Sequence, residues 1–396
     1  MQELLESPRT PHLFRIWTDL AKEKELPQLD RWLVGRMKQD KRFGSKDRRW
    51  YSEAVFSAVR WAMPMLETRA ESQGLDPKAA WKSLSAIPAN ELFESLAQFS
   101  KTMPEDGLAS AGLSDWFSRS FARRMQISDW SLEQKESFLK AQNRRAALWL
   151  RLNKPAHKAK VEAKLNELNV PFSWHGQSLK IESDKNLTQT PILEEGWAEV
   201  QDYGSQLLGE KIPVEGPAQI WDCCAGGGGK SLQLAALYPK AQIYASDIRA
   251  YKGTEVSRRA HRAKLPNVTP IPWNGGTQLD LPRSVGKGFD IILVDAPCSG
   301  SGTWRRSPDG RFRVTEDSIA ALQKLQISIV EKVLPFLKPG GQLVYATCSW
   351  FPEENEDVTA QLCAELPLTI EEEMICGLPD ADSDCLFISR MRKNRK

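Results

Sequence analysis

Long apolar runs are missing from this chain: none reaches the ~18 uninterrupted apolar residues of a membrane-spanning helix. Met1 to Thr10 also lacks the apolar region of a signal peptide. Both absences predict a cytoplasmic protein. The first half has no cysteine, since Cys223, Cys224, Cys298, Cys348, Cys363, Cys376 and Cys385 all lie in the C-terminal half. Their odd number makes a poor disulfide framework. No CxxC pair occurs, and none of His12, His157, His175 and His261 stands at zinc spacing beside the cysteines, so no metal is expected. A strong charge of one sign is absent as well. The net charge of +3 leaves any nucleic-acid surface to local clusters. What is present, 41% hydrophobic and 27% charged residues, is ordinary for a folded globular protein.

A length of 396 residues predicts two or three domains. From Pro11 to about Gln98 the pattern is helical: Leu29, Trp32, Leu33 and Met37 recur at three-to-four spacing, as do Val55, Phe56, Val59 and Ala62. Between these two stripes lies the basic stretch Lys41 to Trp50. There Gly44 can end one helix and Ser45 or Asp47 can cap the next, leaving Arg48 and Arg49 either as solvated charges or as phosphate contacts. Pro104 to Ser114 is rich in proline, glycine and small residues and is the best candidate hinge. A further helix is expected from about Ser131 to Ala147. After it, short strands at Leu148–Leu152 and Ser178–Glu182 surround a helix at Lys158–Leu168, a small α+β module. The expected division is therefore residues 1–125 helical, 126–212 a small α+β linker module, and 213–396 a third domain.

That third domain alternates apolar strand, glycine-rich turn and helix. Ile220-Trp221, Gln242–Ala245, Thr269–Pro272, Ile291–Val294 and Gln342–Ala346 are its strand candidates, which points to a doubly wound, mostly parallel α/β sheet. Cys224-Ala225-Gly226-Gly227-Gly228-Gly229-Lys230 follows the first strand and opens a helix, with glycines that let a ligand approach the backbone. A Walker A loop needs glycine where Cys224 stands, and the dinucleotide GxGxxG fails at Ser231. Asp247, at the end of the second strand, is placed to accept the hydroxyls of a ribose, or to cap the helix near Tyr251. Asn274, after the third strand, lies where such folds edge the adenine.

Two further segments end strands of the same sheet: Asp295-Ala296-Pro297-Cys298-Ser299-Gly300-Ser301-Gly302 and Ala346-Thr347-Cys348-Ser349. Strand ends in this fold share one crevice, so both cysteines should face the ligand. A buried cysteine is commonly a small apolar filler. Two on strand-end loops among small polar residues point instead to chemistry. Carbon 5 of cytosine is too poor a nucleophile to take a methyl group directly, and a thiolate adding at carbon 6 makes it enamine-like. A carboxylate such as Asp295 at the N3 and amino edge would stabilise that adduct.

At these residues the chain resembles the RsmB/Sun-like family of RNA cytosine-5 methyltransferases, whose members carry separate Pro-Cys and Thr-Cys-Ser segments. The likeness extends to Gln201-Asp202, Ser205-Gln206, Arg305-Arg306-Ser307-Pro308-Asp309, Pro352-Glu353-Glu354-Asn355-Glu356 and the closing Cys385 to Arg390. It also reaches Leu29-Asp30-Arg31 and Gly44 to Arg49, which resemble the NusB-like helical RNA-binding domain that opens bacterial members. The resemblance implies a Rossmann-like methyltransferase domain behind an all-helical NusB-like domain, with S-adenosyl-L-methionine as cofactor and RNA as substrate. It implies Cys348 as nucleophile, Cys298 in product release, and cofactor contacts at Cys224 to Lys230, Asp247, Asn274 and Asp295, with Lys230 pairing to Asp295. Two features depart from the family. Gly226 to Gly229 replace alanine-proline-glycine-glycine, which loosens the loop, and Asn274 replaces an acidic residue.

Arg305, Arg306, Arg311 and Arg313 follow the Pro-Cys segment and are expected either to grip RNA around the target base or to pair with Asp309, Glu316 and Asp317. A base in a duplex would have to flip out at a cost of roughly a few kcal/mol, which favours an unpaired target. The NusB-like front favours small-subunit ribosomal RNA over transfer RNA. A non-catalytic RNA-binding assembly factor is the alternative that the altered loop permits. A DNA cytosine methyltransferase would need a large insertion after the Pro-Cys segment, and none is present.

Overall fold

The computed structural model of the protein describes residues 2–40, 43–69, 76–102 and 115–395. They form two compact units: Met1–Arg145 with Ser299–Ala320, and Ala146–Cys298 with Ala321–Lys396.

The first unit is helical. Its longer helices are Thr10–Leu20, Leu29–Lys38, Ser45–Arg69, Pro77–Ser85, Ala89–Thr102, Asp115–Ile127 and Leu132–Ala141. Leu13, Ile16, Trp17 and Leu20 fall on one face of the first of these and are buried. The predicted stripes of Leu29, Leu33 and Met37, and of Val55 and Val59, join the same core. Trp32 stays at its edge, with its Nε1 donating to Glu23 at 2.9 Å. The segment after the Pro-Cys loop also contributes: Phe312 packs edge-on against Trp81, ring centroids 6.4 Å apart.

Two local expectations are refined. The helix after the basic stretch does begin at Ser45, and Asp47 Oδ2 accepts from the Gly44 N–H at 3.3 Å. Ser131 caps the next predicted helix through a capping box with Gln134, but that helix stops at Ala141 rather than near Ala147. There the backbone tightens, with the Asn143 N–H donating to the Lys140 carbonyl at 3.4 Å and the Arg144 N–H to the Ala141 carbonyl at 3.1 Å, and Arg311 donates to the Gln142 carbonyl and Asn143 Oδ1. Lys41, Arg42 and the hinge Pro104–Ser114 lie outside the described residues.

The second unit holds two sheets. The smaller is antiparallel, in the order β2-β3-β1-β4, from β1 (Leu148–Leu152), β2 (Phe172–His175), β3 (Ser178–Ile181) and β4 (Ala198–Val200). The helix Lys158–Glu167 packs on it through Val161 and Leu165. The larger sheet contains β5 (Gln219–Asp222), β6 (Gln242–Ala245), β7 (Val268–Pro270), β8 (Phe289–Asp295), β9 (Leu337–Thr347), β10 (Leu368–Cys376) and β11 (Leu386–Lys393), in the order β10-β11-β9-β8-β5-β6-β7. From β9 to β7 all neighbours are parallel, while β11 and β10 run antiparallel to theirs.

Period-two alternation explains why this sheet is apolar almost throughout. Trp221, Tyr244, Val294, Tyr345 and Phe387 enter a core on one face. Ile220, Ile243, Leu293, Val344 and Ile388 enter a second core on the other. This is the expected Rossmann-like α/β sheet, in a chain with a helical N-terminal region. Its parallel strands bring their C-terminal ends to one crevice.

Candidate active site

The loop after β5 turns at glycine. Gly226 has φ 53° and Gly228 has φ 81°, values that side chains resist, and the helix Gly229–Leu237 starts straight from the second of these. A Cβ on Gly226 or Gly229 would meet nothing within 4 Å, so this backbone borders open space. Asp247 stands over the loop: its Oδ2 accepts from the Gly226 N–H at 3.0 Å, and its Oδ1 from the Arg249 N–H at 2.9 Å. The Arg249 guanidinium also reaches both carboxylate oxygens, at 2.8 and 3.0 Å. Burial pushes the Asp247 carboxyl up, but the Arg249 hydrogen bonds and charge, with the Gly226 N–H, outweigh it and hold the group below its ordinary value. A glycine turn bordered by open space, with an ionised carboxylate beside it, fits the ribose of a nucleoside cofactor. Asn274 is exposed, and its Oδ1 is committed to the Gly276 N–H at 2.9 Å.

Lys230, in the first turn of the helix after the loop, reaches Asp295 Oδ2 at 2.7 Å, the pairing the resemblance implied. Burial disfavours the lysine charge, yet Asp295 overcomes this and holds the ammonium above its ordinary value, with Cys348 and Asp222 adding to it. Behind the pair, Asp222 at the end of β5 is fully buried and takes a 2.6 Å hydrogen bond from the Ser231 hydroxyl. Burial first, then the Asp295 charge, raises its pKa to about 7 against the pull of Ser231 and Lys230.

The two cysteines meet. Ala346 on β9 lies in register with Asp295 on β8, so the following loops start side by side. Cys298 Sγ and Cys348 Sγ are 3.3 Å apart, and the Cys348 N–H points to Cys298 Sγ at 3.3 Å. Both are half-buried. Their loops are held by polar residues that the sequence reading did not single out for this work. Gln326 Nε2 donates to the Pro297 carbonyl and to Glu354 Oε1, both at 3.0 Å. Asn355 accepts from the Thr347 hydroxyl at 2.6 Å and donates to the Ser349 carbonyl at 2.9 Å. The sequence signal for Gln326 is a polar residue on the same helical face as Ile319, Val330 and Val333, where it is fully buried.

The arginines divide. Arg305, expected to contact RNA, is only 1% exposed and donates its Nη2 to the Arg145 carbonyl, so that expectation is corrected: burial withholds its guanidinium from a ligand's backbone. Arg313 pairs with Asp309 at 2.5 Å, as its salt-bridge alternative foresaw. Arg306 is half-buried. Arg48 is exposed and bonds the Phe43 carbonyl, and Arg49 pairs with Glu53 at 3.0 Å. Among the described residues no group of three or more His, Cys, Asp or Glu is arranged to hold a metal, and no helix is long and apolar enough to cross a membrane.

Residues 212–369 match the family described as 16S rRNA methyltransferase RsmB/F. The chain is similar to ribosomal RNA small subunit methyltransferase B of Erwinia tasmaniensis, 35% identical over 57% of this chain and 53% of that protein. The same enzyme of Vibrio cholerae is 36% identical over 56% of this chain and 52% of its own length. The chain thus spans about half the length of the curated relatives it matches. A methyltransferase homolog protein from Pyrococcus horikoshii, a solved structure, superposes with a TM-score of 0.56 at 26% identity, over 69% of this chain and 94% of that one. The glycine loop, the paired lysine and carboxylate and the two facing thiols all lie within residues 212–369, the stretch that matches the RsmB/F family.

Proposed function

We propose that the protein methylates carbon 5 of a cytosine in RNA, using S-adenosyl-L-methionine. One observation carries this reading: two thiols 3.3 Å apart beside the Lys230–Asp295 pair, on adjacent strand ends next to a glycine loop suited to a nucleoside. A single thiol would serve a covalent adduct. A second in contact with it serves the proton and leaving-group steps that must follow.

In this mechanism Gly226 to Gly229, Asp247 and Asn274 seat the cofactor, with Cys224, Ala225 and Lys230 lining the loop. When bound, S-adenosylmethionine supplies an electrophilic methyl group. The Cys348 thiolate adds to carbon 6 of the cytosine, which places electron density on carbon 5. Asp295, held by Lys230, stabilises the adduct at the N3 and amino edge. After the methyl group is on carbon 5, the proton there leaves with the help of Cys298. The carbon 6–sulfur bond then breaks, restoring the ring and returning the Cys348 thiolate.

The names of the relatives favour small-subunit ribosomal RNA over transfer RNA as substrate, and such a substrate supports the reading of a cytoplasmic protein. Arg306, Arg48 and Arg49 are the arginines retained as RNA contacts, with a helical part (1–125), a linker module (126–212) and a methyltransferase part (213–396) sharing the work. The test is methyl transfer from labelled S-adenosylmethionine to unmodified 16S RNA, small-subunit particles and transfer RNA, with 5-methylcytosine mapped by sequencing. Transfer to one discrete cytosine of 16S RNA is expected. No transfer to any of the three, with cofactor binding also absent, would favour the non-catalytic assembly factor.

A further inference from the structure

The four consecutive glycines of the cofactor loop carry a conformational cost, because glycine loses more freedom on ordering than any other residue. Something outside the loop must hold its shape. Arg259, on the helix Tyr251–Ala263, donates its Nη1 to the Gly227 carbonyl at 2.5 Å. The room beside Gly227 belongs to that helix: a Cβ there would lie 2.9 Å from Glu255 Oε1 and 3.0 Å from Arg259 Nη1. Arg259 is itself fixed from the small sheet. Glu199 on β4, 3% exposed, accepts from Arg259 Nη2 at 2.9 Å and Nε at 3.2 Å, and from Arg262 Nη2 at 2.5 Å.

A second tie runs from the same strand to the other side of the loop. Gln201, just past β4, donates to Gln233 Oε1 at 2.6 Å, and Gln233 lies in the helix that the glycine loop opens. Arg151 on β1, in register with Glu199, donates its Nε to Gln201 Oε1 at 2.6 Å. Glu199, through Arg259, and Gln201 therefore grip the loop and the helix behind it from the end of one strand of a separate sheet.

We propose that Arg259, oriented by Glu199, is a positioning residue for the cofactor: by binding the Gly227 carbonyl it fixes the peptide between the left-handed Gly226 and Gly228, and with it the Gly226 N–H that meets Asp247. Charge-assisted hydrogen bonds are about twice as strong as neutral ones, which suits a single contact holding a flexible turn. The inference rests on the reading of this loop as the S-adenosylmethionine site. Arg262 supplies the internal control, since it shares Glu199 but does not touch the loop.

The experiment compares the full-length wild type with Arg259→Gln, Arg259→Lys and Arg262→Gln. Amide hydrogen exchange of the peptide spanning Gly226 to Gly229 is followed without cofactor, and S-adenosylhomocysteine binding by calorimetry. Arg259→Gln is expected to speed loop exchange at least ten-fold and to raise the cofactor Kd and KM about ten-fold, leaving the KM for RNA within two-fold. Arg259→Lys should recover part of the loss, and Arg262→Gln should change neither readout by more than two-fold. Equal effects of Arg259→Gln and Arg262→Gln, or unchanged loop exchange in Arg259→Gln, would overturn the proposal. Faster exchange in Arg259→Gln alone, together with no S-adenosylhomocysteine binding by the wild type, would keep the brace and remove the cofactor reading on which its role depends.

Discussion

Cys298 Sγ lies 3.3 Å from Cys348 Sγ, and the Cys348 N–H is directed at the same sulfur. Neighbouring parallel strands deliver the two residues: β8 ends at Asp295 and β9 at Thr347, with Asp295 in register with Ala346. Sulfurs this close can act on one substrate ring.

Removing each should therefore have a different consequence. Cys348→Ala is expected to lower kcat by about 10⁴-fold or more, as loss of a covalent nucleophile does. Cys298→Ala should still form the carbon 6 adduct but release product slowly, so a protein–RNA species that survives denaturing electrophoresis accumulates. Identical silence from both variants, with no adduct, would deny them separate roles.

The ion pair Lys230–Asp295 gives a second prediction. Lys230→Met leaves the Asp295 carboxylate without its 2.7 Å partner. Hydrogen bonds to charged groups contribute about 1.5–3 kcal/mol, so kcat should fall roughly 10- to 100-fold. Asp247→Ala, in contrast, should act on cofactor affinity, raising the S-adenosylhomocysteine Kd about 10- to 100-fold with a small effect on the KM for RNA. Calorimetry and steady-state kinetics separate the two.

Asp222 predicts a pH dependence of stability. Its folded pKa is raised from an ordinary 3.8 to about 7 by burial and by Asp295, against Ser231 and Lys230. Between those values the unfolded chain has lost the proton that the folded protein keeps, so this residue's contribution to stability is full below pH about 4 and falls as pH rises towards 7. The loss is on the order of a few kcal/mol and is complete above about pH 7. Asp222→Asn removes the titration. Urea midpoints of the wild type relative to this variant should decline from pH 4 to 7 and then level off. A constant difference across that range would contradict the assignment.

Much of this architecture was legible because strong local signals coincide. Ile220-Trp221, Gln242–Ala245 and Ile291–Val294 are apolar runs ended by glycine, aspartate or proline, and each is a parallel strand ending at the crevice. β2 and β4 escaped notice because Phe-Ser-Trp-His and Ala-Glu-Val are too short and mixed to show a period, although Gly176 at φ 60° marks the turn between β2 and β3. Charged residues misled for one physical reason: charge in a sequence does not report burial. Arg305, expected at the RNA, is buried, and Glu199, which no sequence pattern singled out, is 3% exposed and anchors two arginines. Phe312, beyond the Pro-Cys loop, gave no sign that it would join the helical core.

The central claim is a covalent bond between Cys348 and cytosine. RNA transcribed with 5-fluorocytidine in place of cytidine tests it directly, because fluorine cannot leave carbon 5 as a proton does and the methylated adduct persists. After incubation with S-adenosylmethionine, digestion and mass spectrometry, the account predicts a nucleotide attached to the peptide containing Cys348, heavier by one methyl group. Attachment at Cys298 instead, or methyl transfer to cytosine without any trapped adduct, would contradict it.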